Sequence, residues 1–407
     1  MAETQASELK GEYLEFLPEL FQAILSSEGD PQIIYPFLQK NLKRIDDELA
    51  EELKIWTNDI QPKLTPQEAQ SLAVAILIFS NLIQQFPLGN QASNLEIAIV
   101  GYQAAAKVLT RHSFEEEWAS TQTSLGNTYL ERIRGTRFKN VELAIQHYQL
   151  ALEVTLLEKN PEKWADIQVN LGNAYIDRIV GDRAENIEHA IAEYMSALQI
   201  YTLNEHPVAW AGIHNNLGTA YRQRIYGTHQ DNLEQAVMSF QNTLMIYTRD
   251  SFPMQWATTI ANLGNVYSQR VRGDRAENLE QAIASYQLAL QVYTREAFPE
   301  NWARTQSNLA AAYAERVRGD RAENLEQAIA SYQLALQVYT REAFPENWAR
   351  TQSNLAAAYA ERVRGDRAEN LEQAIASYQL ALQVYTREAF PENWAMVQNN
   401  LAVTRGV

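Results

Sequence analysis

The chain has 407 residues and not one cysteine. Disulfides, thiolate nucleophiles, cysteine-ligated zinc and iron–sulfur clusters are thereby excluded. Long hydrophobic runs are missing too. The most apolar stretch, Leu72–Phe79, falls far short of the roughly 20 residues that span a bilayer, so no membrane partner is expected. The N-terminus, M-A-E-T-Q-A-S-E-L-K-G-E-Y, lacks the basic start and apolar core of a secretory signal, and a cytoplasmic location is the expectation. Positive charge is scarce: 34 Lys+Arg face 50 Asp+Glu, a formal net charge of −16. No basic run offsets that field, and it would repel a polyanion, so nucleic acid is not an expected partner. The excess is uneven, with 13 acidic and 5 basic side chains in residues 1–62, which mildly favours cationic partners.

Chemistry-bearing clusters are equally hard to find. The six histidines, His112, His147, His189, His206, His214 and His229, form no i, i+4 pair, and no metal site is expected from them. The recurring G-D-R lacks the glycine spacing and Lys-Ser/Thr of a phosphate loop. No carboxylate pair stands out among 50 acids. We therefore expect no catalytic residue, no cofactor and no enzymatic activity.

What is present is a repeat. Tryptophan recurs every 46 residues, at Trp118, Trp164, Trp210, Trp256, Trp302, Trp348 and Trp394. Gly89, Gly135, Gly181, Gly227, Gly273, Gly319 and Gly365 keep that period, as do the asparagines from Asn94 to Asn370. Between Arg270 and Ala395 the units are identical. Such self-similarity marks an array of supersecondary units, each burying its apolar face against its neighbours.

The unit Phe298–Ala343 predicts two antiparallel helices. Pro299 suits a first helical position, and Glu300 complements the positive end of the helix dipole. Trp302, Leu309 and Arg316 are seven apart and share a face with Thr305 and Tyr313. Gly319 is expected to end this helix in a left-handed cap. Asn324 reads as the next N-cap, with Gln327 completing a capping box. Leu325, Ala328, Ile329, Tyr332, Ala335, Leu336 and Tyr339 then carry the second apolar stripe.

On these residues the unit resembles the tetratricopeptide repeat. Its first helix reads N-L-G-N-A-Y at Asn170–Tyr175, N-L-G-T-A-Y at Asn216–Tyr221 and N-L-G-N-V-Y at Asn262–Tyr267, and its second reads A-I-x-x-Y-x-x-A-L, as at Ala328–Leu336. The likeness covers roughly residues 66–404, with a divergent first unit. There Phe79, Ser80 and Ile83 take the Leu, Gly and Tyr places, while Ala98, Tyr102 and Ala105 match the second helix. It implies an all-α, right-handed helical-hairpin solenoid that binds polypeptides, although the unit is longer than the family's usual one. The entry F-S-N-L-I-Q-Q-F-P-L-G-N at Phe79–Asn90 and the Trp-Ala helix starts further resemble cyanobacterial arrays that precede CHAT (caspase-like) protease domains. No sequence follows Val407, so no protease activity is expected of this chain.

The expected organisation is an acidic helical segment over 1–64, seven hairpins over 65–389 and a capping helix over 390–407. In the first segment, Leu14, Leu17, Phe21 and Ile24 mark one amphipathic helix. Ile33–Leu42 and Ile45–Ile60 mark two more, and Pro62 and Pro66 bracket the entry to the array.

Phase around the first helix sorts the candidate residues. At 100° per residue each Trp lies within ~20° of the leucine seven positions on, so the seven tryptophans are read as structural. Arg316 and its counterparts Arg132, Arg178, Arg224, Arg270 and Arg362 are expected to tie the helix end to an acid or a carbonyl. The opposite face holds Arg304, Ser307, Asn308, Ala311 and Glu315. The resemblance implies that this face lines the concave groove. Asn170, Asn173, Asn216, Asn262, Asn265, Asn308 and Asn354 are thus candidates for holding an extended peptide, since an amide offers a donor and an acceptor together. Hydrogen bonding between adjacent first helices is the rival role. The leading function is a non-catalytic protein- or peptide-binding scaffold. A regulatory subunit acting in trans on an effector such as a CHAT-type protease, and a self-assembling structural protein, are the alternatives, and self-association is open.

Overall fold

The computed structural model describes residues 2–406, whose secondary structure consists of α-helices joined by turns and short 3-10 segments, with no strand among them. The chain forms two compact units, residues 1–202 and 203–407. The first contains α1 (Ala2–Ser27), α2 (Pro31–Lys40), α3 (Asp47–Ile60), α4 (Pro66–Gln85), α5 (Gln91–Val108), α6 (Glu115–Glu131), α7 (Arg137–Leu152), α8 (Pro161–Asp177) and α9 (Arg183–Ala197). The second contains α10 (Pro207–Gln223), α11 (His229–Leu244), α12 (Pro253–Gln269), α13 (Arg275–Ala289), α14 (Pro299–Glu315), α15 (Arg321–Ala335), α16 (Pro345–Glu361), α17 (Arg367–Ala381) and α18 (Pro391–Arg405).

Helices pair as hairpins: α4 with α5, α6 with α7 and α8 with α9 in the first unit; α10 with α11, α12 with α13, α14 with α15 and α16 with α17 in the second. Within each unit a second helix also packs on the first helix of the next hairpin, as α13 does on α14 and α17 on α18. At the head of the first unit α1 and α3 lie against α4 and α5. Phe21 stacks on Trp56, the one tryptophan outside the register, and meets Phe79 edge-on at 5.8 Å. Leu17, Phe21 and Ile24 are buried as expected; the Leu14 side chain lies outside the described residues. Phe79, Ser80, Ile83, Ala98, Tyr102 and Ala105 of the divergent first hairpin are all buried.

The local signals divide the work differently from the expectation. Helix α14 stops at Glu315 because Arg316 turns extended (φ −57°, ψ 125°). Gly319, at φ +83°, therefore does not cap the helix; it makes the left-handed corner of the turn that follows, a conformation glycine adopts without steric cost. The N-cap of α15 is Asp320, whose carboxylate accepts from Glu323 N at 2.8 Å. Asn324 lies one turn inside the helix, buried, and its amide donates to the carbonyls of Arg316 and Arg318. It pins the connector from beneath and caps nothing. The same pair of bonds recurs from Asn140, Asn186, Asn232 and Asn278. That explains the strict asparagine period better than capping does. Tyr339 of the second stripe lies beyond the end of α15, buried in the turn.

Each hairpin closes over an aromatic ring. A Cβ built on Gly126, Gly172, Gly218 or Gly264 would come within 2.5, 2.6, 2.6 or 2.8 Å of the ring of Tyr148, Tyr194, Phe240 or Tyr286, respectively. The missing side chain lets the second helix's aromatic residue lie flat against the first helix's backbone. Burying such a ring stabilises by roughly 1.5–3 kcal/mol. In the divergent hairpin the small residue changes sides: Ser80 occupies the glycine position and Gly101 of α5 faces it. Gly172→Val should accordingly cost about 1–3 kcal/mol through overpacking against Tyr194. Denaturant unfolding checks this; a loss under ~0.5 kcal/mol, within ordinary surface noise, would mean the ring yields freely.

Candidate functional site

The recurrent arginine follows the first helix directly and turns back onto the preceding hairpin. Arg316 donates through Nε and Nη2 to both carboxylate oxygens of Glu280, at 2.8 and 2.7 Å. Its guanidinium also lies 5.9 Å from the Tyr313 ring centroid. The same bidentate bond joins Arg132 to Glu96, Arg178 to Glu142, Arg270 to Glu234 and Arg362 to Glu326. The fork-on-carboxylate geometry adds specificity to charge. Hydrogen bonding to Arg270, Arg316 and Arg362 holds Glu234, Glu280 and Glu326 below the usual carboxylate range.

The asparagine face lies on the same first helices. Asn173 and Asn265 accept the hydroxyls of Tyr194 and Tyr286 through Oδ1 at 2.7 and 2.8 Å, as Asn127 accepts Tyr148 at 2.7 Å. Asn170 donates its amide to Asn127 Oδ1 at 3.1 Å, and Asn308 donates to Asn265 Oδ1 at 2.9 Å. Adjacent first helices are therefore bridged by amide pairs. Asn262 makes no side-chain hydrogen bond among the described residues, and Asn354 lines a groove together with Tyr332. All seven candidate asparagines, Asn216 included, are half-buried.

Two grooves follow this face. One, of about 640 Å³, is lined by Asn81, Gln84, Ser124, Asn127, Glu131 and Asn170 among others. The second, of about 280 Å³, includes Ala311, Glu315, Arg321, Tyr332, Asn354 and Glu361. Their carboxylates are engaged: Glu131 accepts from Gln84, while Glu315 and Glu361 are paired with Arg275 and Arg321. One expected lining residue is not there. Ser307 is buried, only 4% exposed, turned away from solvent into the packed interior.

The seven register tryptophans are half-buried. Trp302 packs beside Tyr293 and Tyr339, while Arg111, Arg249 and Arg387 lie over Trp118, Trp256 and Trp394. His147 stacks on Tyr129 and meets Gln122 at 2.7 Å, and burial pushes its pKa down to about 4. Among the described residues no group of three or more His, Asp or Glu side chains is placed to hold a metal, and no helix is long and apolar enough to cross a membrane. Two features escaped the sequence. Arg222, half-buried, has its pKa lowered by desolvation and no ion pair among the described residues. It occupies the register position of Leu130 and Ala314, both groove-lining. A separate pocket opens between the starts of α6 and α8. Both are single departures from the repeat, visible only when units are compared position by position.

The Arg316–Glu280 bond generates a pH prediction. A carboxyl whose pKa is depressed on folding adds stability above its unfolded value of about 4.3, and loses it as pH falls through the lower folded value. Glu280→Gln should cost about 1–2 kcal/mol at pH 7, given a half-buried bidentate pair. The gap from wild type should narrow at pH 3. Urea unfolding at both values tests it, and an equal gap at the two would show that the ion pair is not its source.

Residues 256–292 match the tetratricopeptide repeat model. No curated protein matches the sequence. Among solved structures, the chain is similar to the Signal Transduction ATPase with Numerous Domains (STAND) protein with a tetratricopeptide repeat sensor from Pyrococcus horikoshii. The TM-score is 0.54 at 15% identity, covering 98% of this chain and 55% of that one. It is similar as well to a chain in the APC/C hetero-tetramer Cut9–Hcn1, with a TM-score of 0.50 at 15% identity over 88% of this chain and 59% of that one. This chain thus spans little more than half the length of either, and likeness at such identity concerns the fold. Residues 256–292 thus carry a tetratricopeptide repeat, and the consecutive helical pairs give the chain an all-helical, tetratricopeptide-like fold.

Proposed function

We propose that the chain is a non-catalytic scaffold that binds an extended polypeptide along the asparagine face of its first helices. The observation that carries this is the polarity of the amide pairs. Asn127 and Asn265 spend their oxygens on tyrosine and on the next asparagine, which leaves NH₂ donors; Asn170 and Asn308 spend a donor, which leaves carbonyl oxygens. Each pair thus presents a donor beside an acceptor, the complement of one peptide unit in an extended strand. Asn262 adds an amide with both functions unspent, and Arg222 adds a cation suited to peptide carbonyls or an acidic side chain. The Cut9–Hcn1 relative is itself part of a hetero-tetramer, which supports a polypeptide partner.

Internal bracing and recognition are separable. Asn262→Ala should weaken binding of a peptide selected from a displayed library by about 0.5–1.5 kcal/mol per lost hydrogen bond, with an unchanged melting temperature. Asn308→Ala should lower both affinity and melting temperature, because it also breaks the bridge to Asn265. Calorimetric titration and thermal melts on the same samples measure both. Unchanged affinity in folded Asn262→Ala and Asn308→Ala proteins would remove the asparagines from the binding face.

A further inference from the structure

Four hairpin-to-hairpin turns carry the same aromatic pair. Tyr247 with Phe252, Tyr293 with Phe298, Tyr339 with Phe344 and Tyr385 with Phe390 sit at ring-centroid distances of 5.2–6.0 Å. The tyrosine fills the space at the start of two successive first helices. Its hydroxyl reaches back to a first-turn carbonyl, as Tyr247 does to Val208 O at 3.3 Å and Tyr385 to Glu346 O at 3.4 Å. Tyr201 makes the corresponding bond to Glu162 O at 3.2 Å and also bonds the Asp166 side chain. Tyr293 shares a hydrogen bond with Thr258 at 2.6 Å.

One turn lacks both rings. In the 46-residue register Thr155 stands in the tyrosine place and Asn160 in the phenylalanine place. A pocket of about 210 Å³ is found there, within the first unit. Its walls include Ala119 and Ser120 of α6, Val154 and Thr155 of the turn, and Ile167 of α8; Glu116 and Lys163 lie at its edge. Ala119, Val154, Thr155 and Ile167 are buried, whereas the Glu116 and Lys163 side chains are largely exposed. Thr155 makes no side-chain hydrogen bond among the described residues. The backbone carbonyl of Glu116 and the side chain of Ser120 occupy the positions that receive the tyrosine hydroxyl elsewhere: Glu162 and Asp166 for Tyr201. The repeat is its own template, and it defines the shape and polarity of what is missing.

We propose that this pocket binds a phenol ring, seated as the absent tyrosine would be, with its hydroxyl donating toward Glu116 O and Ser120. A preformed concave site with an apolar body and a few convergent polar groups is the usual setting for such a ligand. An aromatic ring with a polar tip fits a site that is apolar inside and wet at one end. The Asn face is not involved, so this site stands or falls apart from the scaffold assignment.

The test uses the full chain and two probes, p-cresol as the free phenol and N-acetyl-tyrosinamide as the chain-borne one, followed by saturation-transfer NMR and calorimetric titration. p-Cresol should bind saturably. Thr155→Tyr/Asn160→Phe, which restores the rings of the other turns, should weaken it by about tenfold or more, the equivalent of losing one well-filled pocket, without lowering the melting temperature. Binding of N-acetyl-tyrosinamide as well assigns the site to a tyrosine side chain of a partner; binding of p-cresol alone assigns it to a free phenolic metabolite. Should the double variant not fold, Thr155→Tyr alone fills the ring space and serves in its place. No saturable p-cresol binding, or equal binding to the filled variant, overturns the proposal.

Discussion

The architecture depends on one close approach: an aromatic ring of the second helix lying on the backbone of the first where the side chain is small or missing. Gly172 under Tyr194 is typical, for a Cβ there would sit 2.6 Å from the ring. Ring and backbone in contact set the spacing of the two helices. That spacing brings the Tyr194 hydroxyl within 2.7 Å of Asn173 on the facing helix. The packing contact therefore also positions the polar face. In the identical copies Ala310 and Ala356 replace the glycine while Tyr332 and Tyr378 stay buried, so a methyl group is accommodated there. In the first hairpin the small residue moves to Gly101. What persists is the need for one small residue per interface, on either side of it.

Hairpins are coupled to their neighbours by a different device. The arginine after α6, α8, α12, α14 and α16 grips a glutamate on the preceding second helix, and the buried asparagine of the next helix holds the turn that follows the arginine. Both act only between adjacent elements, so stability is built as a sum of nearest-neighbour terms. A bidentate arginine suits this role because its planar fork fixes the angle as well as the distance. The sequence can then be copied without limit, as it is between Arg270 and Ala395, since each copy carries both halves of its own joint.

Most of this is legible in the amino-acid sequence. The 46-residue period identified the hairpins, the prolines marked the first-helix starts, and the arginine spaced by seven from leucine pointed to an interface. Capping was misread, for a physical reason. Asparagine favours N-caps because its short amide satisfies loose backbone groups, and Asn324 does bond backbone carbonyls, but from inside the helix, with Asp320 four residues earlier serving as the cap. Composition cannot tell these two geometries apart. Ser307 was misplaced because helical phase gives a direction but not what the neighbouring hairpin puts there. Bridging between adjacent first helices is the rival role that the sequence offers these asparagines, and Asn170 fills it, but its pairing with Asn127 depends on how far one first helix is shifted along the next.

Because the fold is fixed by recurring residues, the specificity of the proposed scaffold would belong to the positions that break the recurrence. Asn127 and Asn265 have alanine counterparts in Ala311 and Ala357. Each amide pair thus takes its accepting asparagine, Asn127 or Asn265, from a helix that precedes the identical copies, and α16 keeps a single asparagine, Asn354, on this face. A cation appears once, at Arg222, where its counterparts are glutamine, leucine, isoleucine, serine or alanine. The aromatic pair of the turns is lost at Thr155 and Asn160, and a pocket follows. Each change leaves the ring-on-backbone contact and the arginine joint of its hairpin in place: Tyr148 still lies over Gly126, and Arg178 still holds Glu142. A scaffold whose stability is local and redundant tolerates such changes one unit at a time. For that reason the irregular units, more than the perfect ones, carry the chemistry by which this protein would discriminate among partners.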